Sequence, residues 1–177
     1  MEQLGYRVTS VNAFELLICN GLVSKMKCIG IIWNCAFGYK KDIINDIKNE
    51  IDIINTYEID LGDHYEEFVS AIYNIEVMAK WKIERKINSM KQYRECRSVV
   101  IIELEISDLS KYFHEKKNKE VFYKIEMTKQ KIREKYKHKI KNYIFDNILH
   151  LTDNEFEFEE TLKVIEQFKH MLSENSI

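Results

Sequence analysis

The stretch that most constrains the fold runs from Ile144 to Leu172. Ile144 to Leu149 is short and apolar enough for a buried strand. Asp153 and Asn154 signal a turn and a helix N-cap. Glu155, Glu157, Glu159 and Glu160 then crowd the first turn, where carboxylates complement the helix dipole. Phe158, Leu162, Ile165, Phe168 and Leu172 recur at helical spacing and give that helix one apolar face. A buried strand leading within a few residues into an amphipathic helix requires a sheet with helices packed on it. His150 falls at this strand-to-helix junction, where free backbone N–H groups and the dipole favour an anion.

The remaining segments fit such a sheet. Residues 27–33 form a continuous apolar run of strand length, as expected of a central strand buried on both faces. Asn34 to Gly38 reads as a turn, and Lys40 to Glu50 as a helix with Ile43, Ile44 and Ile47 on one face. Ile51 to Leu61 reads as a second strand. Asp63-His64-Tyr65-Glu66 has a capping-box pattern opening a helix to about Tyr73. A further helix fits Val77 to Met90, with Met78, Trp81, Ile83, Ile87 and Met90 facing the core and Lys80, Lys82, Arg85 and Lys86 on the other sides. Ser98 to Leu104 is the third clear strand. Ser107 to Glu115 is expected as a short helix, Lys116 to Glu120 as a charged loop and Val121 to Tyr136 as a helix. Helix pairs between strands give an α+β class with a ferredoxin-like sheet. Residues 1–25 read as an N-terminal extension, with a helix or edge strand over 11–23, and residues 26–177 as the domain proper.

Composition narrows the function. The 177 residues suffice for one domain with a real core. Formal net charge is −2 with both signs interspersed, so bulk electrostatics call for neither nucleic acid nor a membrane surface. Residues 11–23 are too short and too interrupted to span a bilayer. The four cysteines, Cys19, Cys28, Cys35 and Cys96, lack zinc or redox spacing and read as free thiols of a reducing cytoplasm. No metal-ligand cluster is apparent, and His64, His114, His138 and His170 show no ligand spacing. The basic run Lys135–Lys141 lacks aromatics at its centre and is a poor nucleic-acid signal.

Four motifs resemble the nucleoside diphosphate kinase family. Asn147-x-x-His150-x-x-Asp153 ahead of a carboxylate-rich helix is similar to its Asn-x-x-His-Gly-Ser-Asp signature, whose histidine carries the phosphoryl group. Ile132-Arg133-x-x-Tyr136 resembles its Ile-Arg-Gly-Asp-Phe/Tyr segment, whose arginine contacts phosphates. Ile31-Ile32-Trp33-Asn34-Cys35-Ala36 stands where the family has Ile-Ile-Lys-Pro-Asp-Ala. Asp63-His64-Tyr65 is similar to Glu-His-Tyr, whose tyrosine lies near the active histidine. The departures are specific: Trp33 replaces the phosphate-binding lysine, and Leu151-Thr152 replaces Gly-Ser.

The resemblance implies a nucleoside diphosphate kinase-like fold and a phosphohistidine at His150. It further implies Mg²⁺ carried with a nucleotide or phosphorylated small molecule, and a homo-oligomer. The chemistry stands without the family: a neutral imidazole can attack a phosphoryl group and divide one transfer into two, given cations around the equatorial oxygens. Arg133 is expected to grip phosphate, with Lys82, Arg85 and Lys86 as further cations. Asn147 is expected to orient His150 or a sugar hydroxyl, and Tyr65 to line the site. Asp153 would cap the helix or hold the histidine tautomer, with Thr152 and Trp33 in support. The alternative is a non-catalytic nucleotide- or phosphate-binding module with the same fold. Trp33 discriminates: an indole filling the lysine's place disfavours transfer, and another cation such as Lys82 or Arg85 reaching that space keeps the enzyme reading.

Overall fold

The computed structural model describes residues 25–144 and 146–174. The helix or strand expected over 11–23 lies outside them. The apolar run expected as a central strand is β1 (Met26–Ile32), buried without interruption from Cys28 onward. Alternate side chains of a strand point to opposite faces, so both faces of β1 are covered. It pairs antiparallel along its whole length with β3 (Ser98–Ile106), and over three residues with the short β6 (Leu149–Leu151). β3 pairs antiparallel with β2 (Asp52–Asp60), giving the sheet order β2-β3-β1-β6. β2 is the edge strand and is largely exposed, which its Asp, Asn, Thr and Glu residues tolerate. A four-stranded antiparallel sheet in this order, with helices in the crossovers, is the expected ferredoxin-like arrangement.

Among the described residues, five α-helices pack with the sheet: α1 (Lys40–Lys48), α2 (Tyr65–Ile75), α3 (Lys80–Met90), α4 (Tyr123–Tyr136) and α5 (Glu155–Glu174). α5 packs on β1 and α2, and α4 on β6 and α1. Gly30 lets β6 approach: a Cβ there would stand 2.9 Å from Leu151 Cδ2.

Several local expectations are corrected. Ser107 to Glu120 holds no helix; it forms a hairpin of β4 (Lys111–His114) and β5 (Lys119–Phe122). A 3₁₀ turn joins the strands, and Asn118 takes a left-handed φ of 51°, a conformation Asn tolerates. The strand expected over 144–149 instead starts at its last residue, as β6, because Asn147 N–H closes a turn onto the Ile144 carbonyl and Asp146 is left-handed (φ 59°). The capping box at Asp63 does not form: a 3₁₀ turn precedes α2, His64 takes the N-cap without a side-chain bond, and Asp63 pairs with Arg97. α3 begins at Lys80, three residues late, and its faces are redistributed. Trp81 is half exposed at 51%, while Lys86 is buried with Ile83 and Met90.

Candidate functional site

β6 is three residues long and wholly buried, and His150 is its middle residue, opposite Ile31 of β1. The imidazole is only 2% exposed. Its Nδ1 lies 2.9 Å from Glu76 Oε1 as an ion-pair contact, and neither Nδ1 nor Nε2 makes a hydrogen bond. Edge-on to it stands Tyr73, with ring centroids 6.0 Å apart. Trp33 packs on the same tyrosine at 5.4 Å, and Lys86 Nζ sits 4.2 Å from its centroid.

The end of α2 sets this geometry. Met78 N–H bonds the Tyr73 carbonyl and Val77 N–H the Asn74 carbonyl, the paired closure of a helix C-terminus that ordinarily uses glycine at its left-handed position. Here that position is Val77, at φ 53° and 90% exposed, a strained choice for a β-branched residue. The turn brings Tyr73 and Glu76, one helical turn apart, to the histidine.

Glu76 and Tyr73 form one wall of a cavity of about 500 Å³. Lys82 and Lys86 of α3 line it, as do Lys116, Lys117 and Lys119 of the hairpin. Lys129 and Arg133 of α4 complete a set of seven cations, facing the two carboxylates Glu76 and Asp146. Three of the seven are answered from behind. Asp153, 1% exposed, receives Lys117 and Lys119 at 2.9 Å each, together with Lys129. Glu126 takes Lys117 at 2.7 Å, and Glu157 takes Lys119. Such a cluster of buried, mutually satisfied charges fixes geometry more than it adds stability. Lys82, Lys86, Lys116 and Arg133 line the cavity beside them, Arg133 with Asp146 as its partner.

The titration directions follow. Burial raises the Asp153 carboxyl, but Lys129, Lys117 and Lys119 outweigh it and hold it far below the usual range. Burial likewise raises Glu76, and His150, Lys129 and Lys119 override it downward. Burial, reinforced by Arg133, pushes the Lys86 ammonium down to about 7.

Arg133 donates from Nε and Nη2 to the Leu149 carbonyl, at 3.1 and 2.9 Å, and holds Asp146 at 3.3 Å from Nη1. It thus ties the residue before His150 to the cavity wall. Lys82 lies on the cavity, while Arg85 is exposed and outside its lining. Asn147 is buried: its amide donates to Ser89 Oγ at 2.6 Å and its carbonyl accepts from Cys35 Sγ, so it braces the turn before β6. Thr152 Oγ1 accepts from Ile29 N–H and extends the β1 pairing. Tyr65 accepts from Asn34 N–H at 3.3 Å; the tyrosine against His150 is Tyr73. Asp153 anchors the lysine cluster, and the cap of α5 is Asn154, whose Oδ1 accepts from Glu157 N–H. Trp33 is fully buried and absent from the cavity wall.

Sequence reasoning missed Tyr73, Glu76, Lys116, Lys117, Lys119 and Lys129. The available signal was Lys129 sitting between Ile125 and Ile132 on the apolar face of α4, where a lysine needs a buried partner.

No family model matches the chain, and no curated protein matches it in sequence. Among solved structures it is similar to a nucleoside diphosphate kinase from Aquifex aeolicus, at TM-score 0.50 and 13% identity, over 80% of this chain and 94% of that one. It is also similar to a transition-state mimic of the nucleoside-diphosphate kinase from Borrelia burgdorferi with bound vanadate and ADP. That match has TM-score 0.47 and 11% identity, over 80% of this chain and 86% of that one. The chain has a nucleoside diphosphate kinase-like fold. In that fold β6 is the strand carrying His150, and α5 is the helix that follows it. Among the described residues, no helix is long and apolar enough to cross a membrane.

Proposed function

We propose that this chain is a divergent phosphotransferase that accepts a phosphoryl group on His150 from a nucleotide or another phosphorylated small molecule. The observation that carries this reading is a cavity of seven cations whose wall is one carboxylate away from the His150 imidazole. Preorganised cations around transferring phosphoryl oxygens are the main protein contribution to such chemistry. Trp33 lies in the core and outside the cavity wall, while Lys82 and Lys86 reach the cavity from α3 and support the reading as its cations.

In this reading the imidazole nitrogen forms the N–P bond as the donor's P–O bond breaks, and a second substrate then takes the group. Lys86, Lys82, Lys116 and Arg133 hold the phosphate oxygens, and Arg133 also fixes the backbone next to His150. Mg²⁺ fits as an ion brought in on the phosphates, where it would neutralise their charge. Glu76 and Asp146 are the cavity carboxylates able to hold its waters, and one or two carboxylates plus phosphates is the usual Mg²⁺ environment. Self-association and residence in a reducing cytoplasm belong to the same reading. Exposed Tyr112, Phe113 and Tyr123 around the β4–β5 hairpin and the free thiols Cys28, Cys35 and Cys96 support them.

The test is incubation with γ-labelled ATP or GTP and Mg²⁺ beside a His150→Ala variant. Acid-labile, base-stable label on the wild type that the variant lacks is the expected result. A folded wild type that takes no label overturns the reading. Nucleotide binding by calorimetry would then separate a regulatory binding module from a scaffold.

A further inference from the structure

A carboxylate oxygen 2.9 Å from a ring nitrogen is tolerated only if that nitrogen carries a proton. In the observed arrangement Nδ1 therefore has no lone pair for attack. Nε2 is buried and partnerless, away from solvent. The nitrogen beside Glu76 is thus both protonated and covered, and Glu76, itself in the cavity wall, does both. Glu76 also stands on the far side of the phosphate problem. It is an anion in the wall of an anion-binding cavity, and any phosphate brought against His150 must first meet it. Its place in the chain lets it turn, although His150, Lys129 and Lys119 attract it: it caps the C-terminus of α2, is a fifth exposed, and leads into the strained left-handed Val77 and the exposed start of α3. Lys82 and Lys86 line the same cavity and offer a displaced carboxylate an alternative charge to meet.

The geometry points to Glu76 as the gate of this site: its carboxylate holds His150 in the tautomer that cannot attack phosphorus, and a phosphate seated among the cavity cations displaces it. With Glu76 turned away, the ring proton moves to Nε2 and the Nδ1 lone pair is free. Nδ1 then forms the N–P bond, the P–O bond to the donor's bridging oxygen breaks, and that oxygen leaves with its electron pair as the product phosphate. No proton need leave Nδ1 during the transfer. The gate rests on reading His150 as the phosphoryl acceptor, so its test includes a readout that needs no nucleotide.

Carbethoxylation of His150 by diethylpyrocarbonate, followed on the His150 peptide by mass spectrometry, reports access to the unprotonated nitrogen. The imidazole ¹⁵N shifts report the tautomer. Glu76→Ala is expected to raise the carbethoxylation rate about tenfold or more and to shift the tautomer toward Nε2–H, with Glu76→Gln intermediate. Glu76→Gln keeps the side-chain shape, so it separates loss of the gate from loss of the fold. His150 modified as fast in the wild type as in both variants overturns the gate, as does an unchanged tautomer. The outcomes separate from those of the kinase reading. If Glu76→Ala frees His150 but neither protein takes label from γ-labelled ATP, the gate stands and the kinase reading falls. If the wild type takes label as fast as Glu76→Ala, the kinase reading stands and the gate falls.

Discussion

Lys86 shows how one side chain can couple an anion site to pH. Its ammonium lies against the Tyr73 ring, buried, with Arg133, Glu76, Asp146 and Cys35 acting on it from α4, the α2–α3 turn, the loop before β6 and the turn after β1. Its ordinary value of 10.5 falls to about 7. Between those values the unfolded chain binds the proton and the folded one does not, so this group makes stability rise with pH across that window. Anion binding has the opposite sign, because a phosphate site wants the charged form and loses it as pH passes 7. Sulfate, which does not titrate near neutrality, is expected to bind several-fold more tightly at pH 6 than at pH 8 by calorimetry, and Lys86→Met is expected to flatten the difference. Val77 gives a second prediction at this scale. A β-branched residue in the left-handed region costs roughly 1–2 kcal/mol, part of which glycine returns through a looser unfolded chain. Val77→Gly is expected to raise stability by about 0.5–1 kcal/mol in urea titration.

At the scale of elements, the hairpin, α4 and the start of α5 are joined by charge as well as by the buried apolar surface of Val121, Phe122 and Ile125. Lys129 is 2% exposed and bonds Asp153, while Lys117 and Lys119 reach Asp153 across from the hairpin. Removing one partner of a buried pair leaves an uncompensated charge, at a cost of about 3–5 kcal/mol. Lys129→Met is expected to destabilise by about that much, and Lys129→Met with Asp153→Asn to recover most of it in a double-mutant cycle. This cluster also marks the limit of what the sequence discloses. The strands and helices of the sheet were legible because their apolar residues form continuous runs of strand length or repeat at 3.6 residues, and the ferredoxin-like class follows from their order. The hairpin was not, because Lys111-Tyr112-Phe113-His114 and Lys119-Glu120-Val121-Phe122 are too short and too charged to announce strands. At the site, His150, Arg133 and Lys82 were legible from motif and position. Glu76 and Tyr73 were not, since their role exists only after Val77 turns left-handed and folds the end of α2 over β6.

Across the whole molecule the charges nearly cancel, yet they are sorted. A chain of net charge −2 gathers seven cations around one cavity, so on the proposed function its association with anions is electrostatic and local. Pyrophosphate binding is expected to weaken several-fold from 50 mM to 500 mM salt, measured by calorimetry at fixed pH, because the Debye length shrinks over that range. The same sorting sets acid sensitivity. Asp153, Glu76 and Glu126 are all held below their ordinary values. Their contribution is present above about pH 4 and is lost as pH falls below it. Urea midpoints measured at pH 7, 5 and 3 are expected to drop most steeply over the last interval.

The two indoles stand in unlike surroundings, and that makes the protein its own optical instrument. Trp33 is sealed in the core between Phe68 and Tyr73, so its emission is expected to be blue-shifted and shielded from acrylamide. Trp81 is half exposed, with the ammonium of the cavity residue Lys82 5.6 Å from its ring. An anion that draws Lys82 inward takes a cation from the face of Trp81 and leaves Trp33 untouched. Occupancy of the cavity can then be followed as a change in the quenchable fraction of the fluorescence, while unfolding is read separately from the shielded fraction.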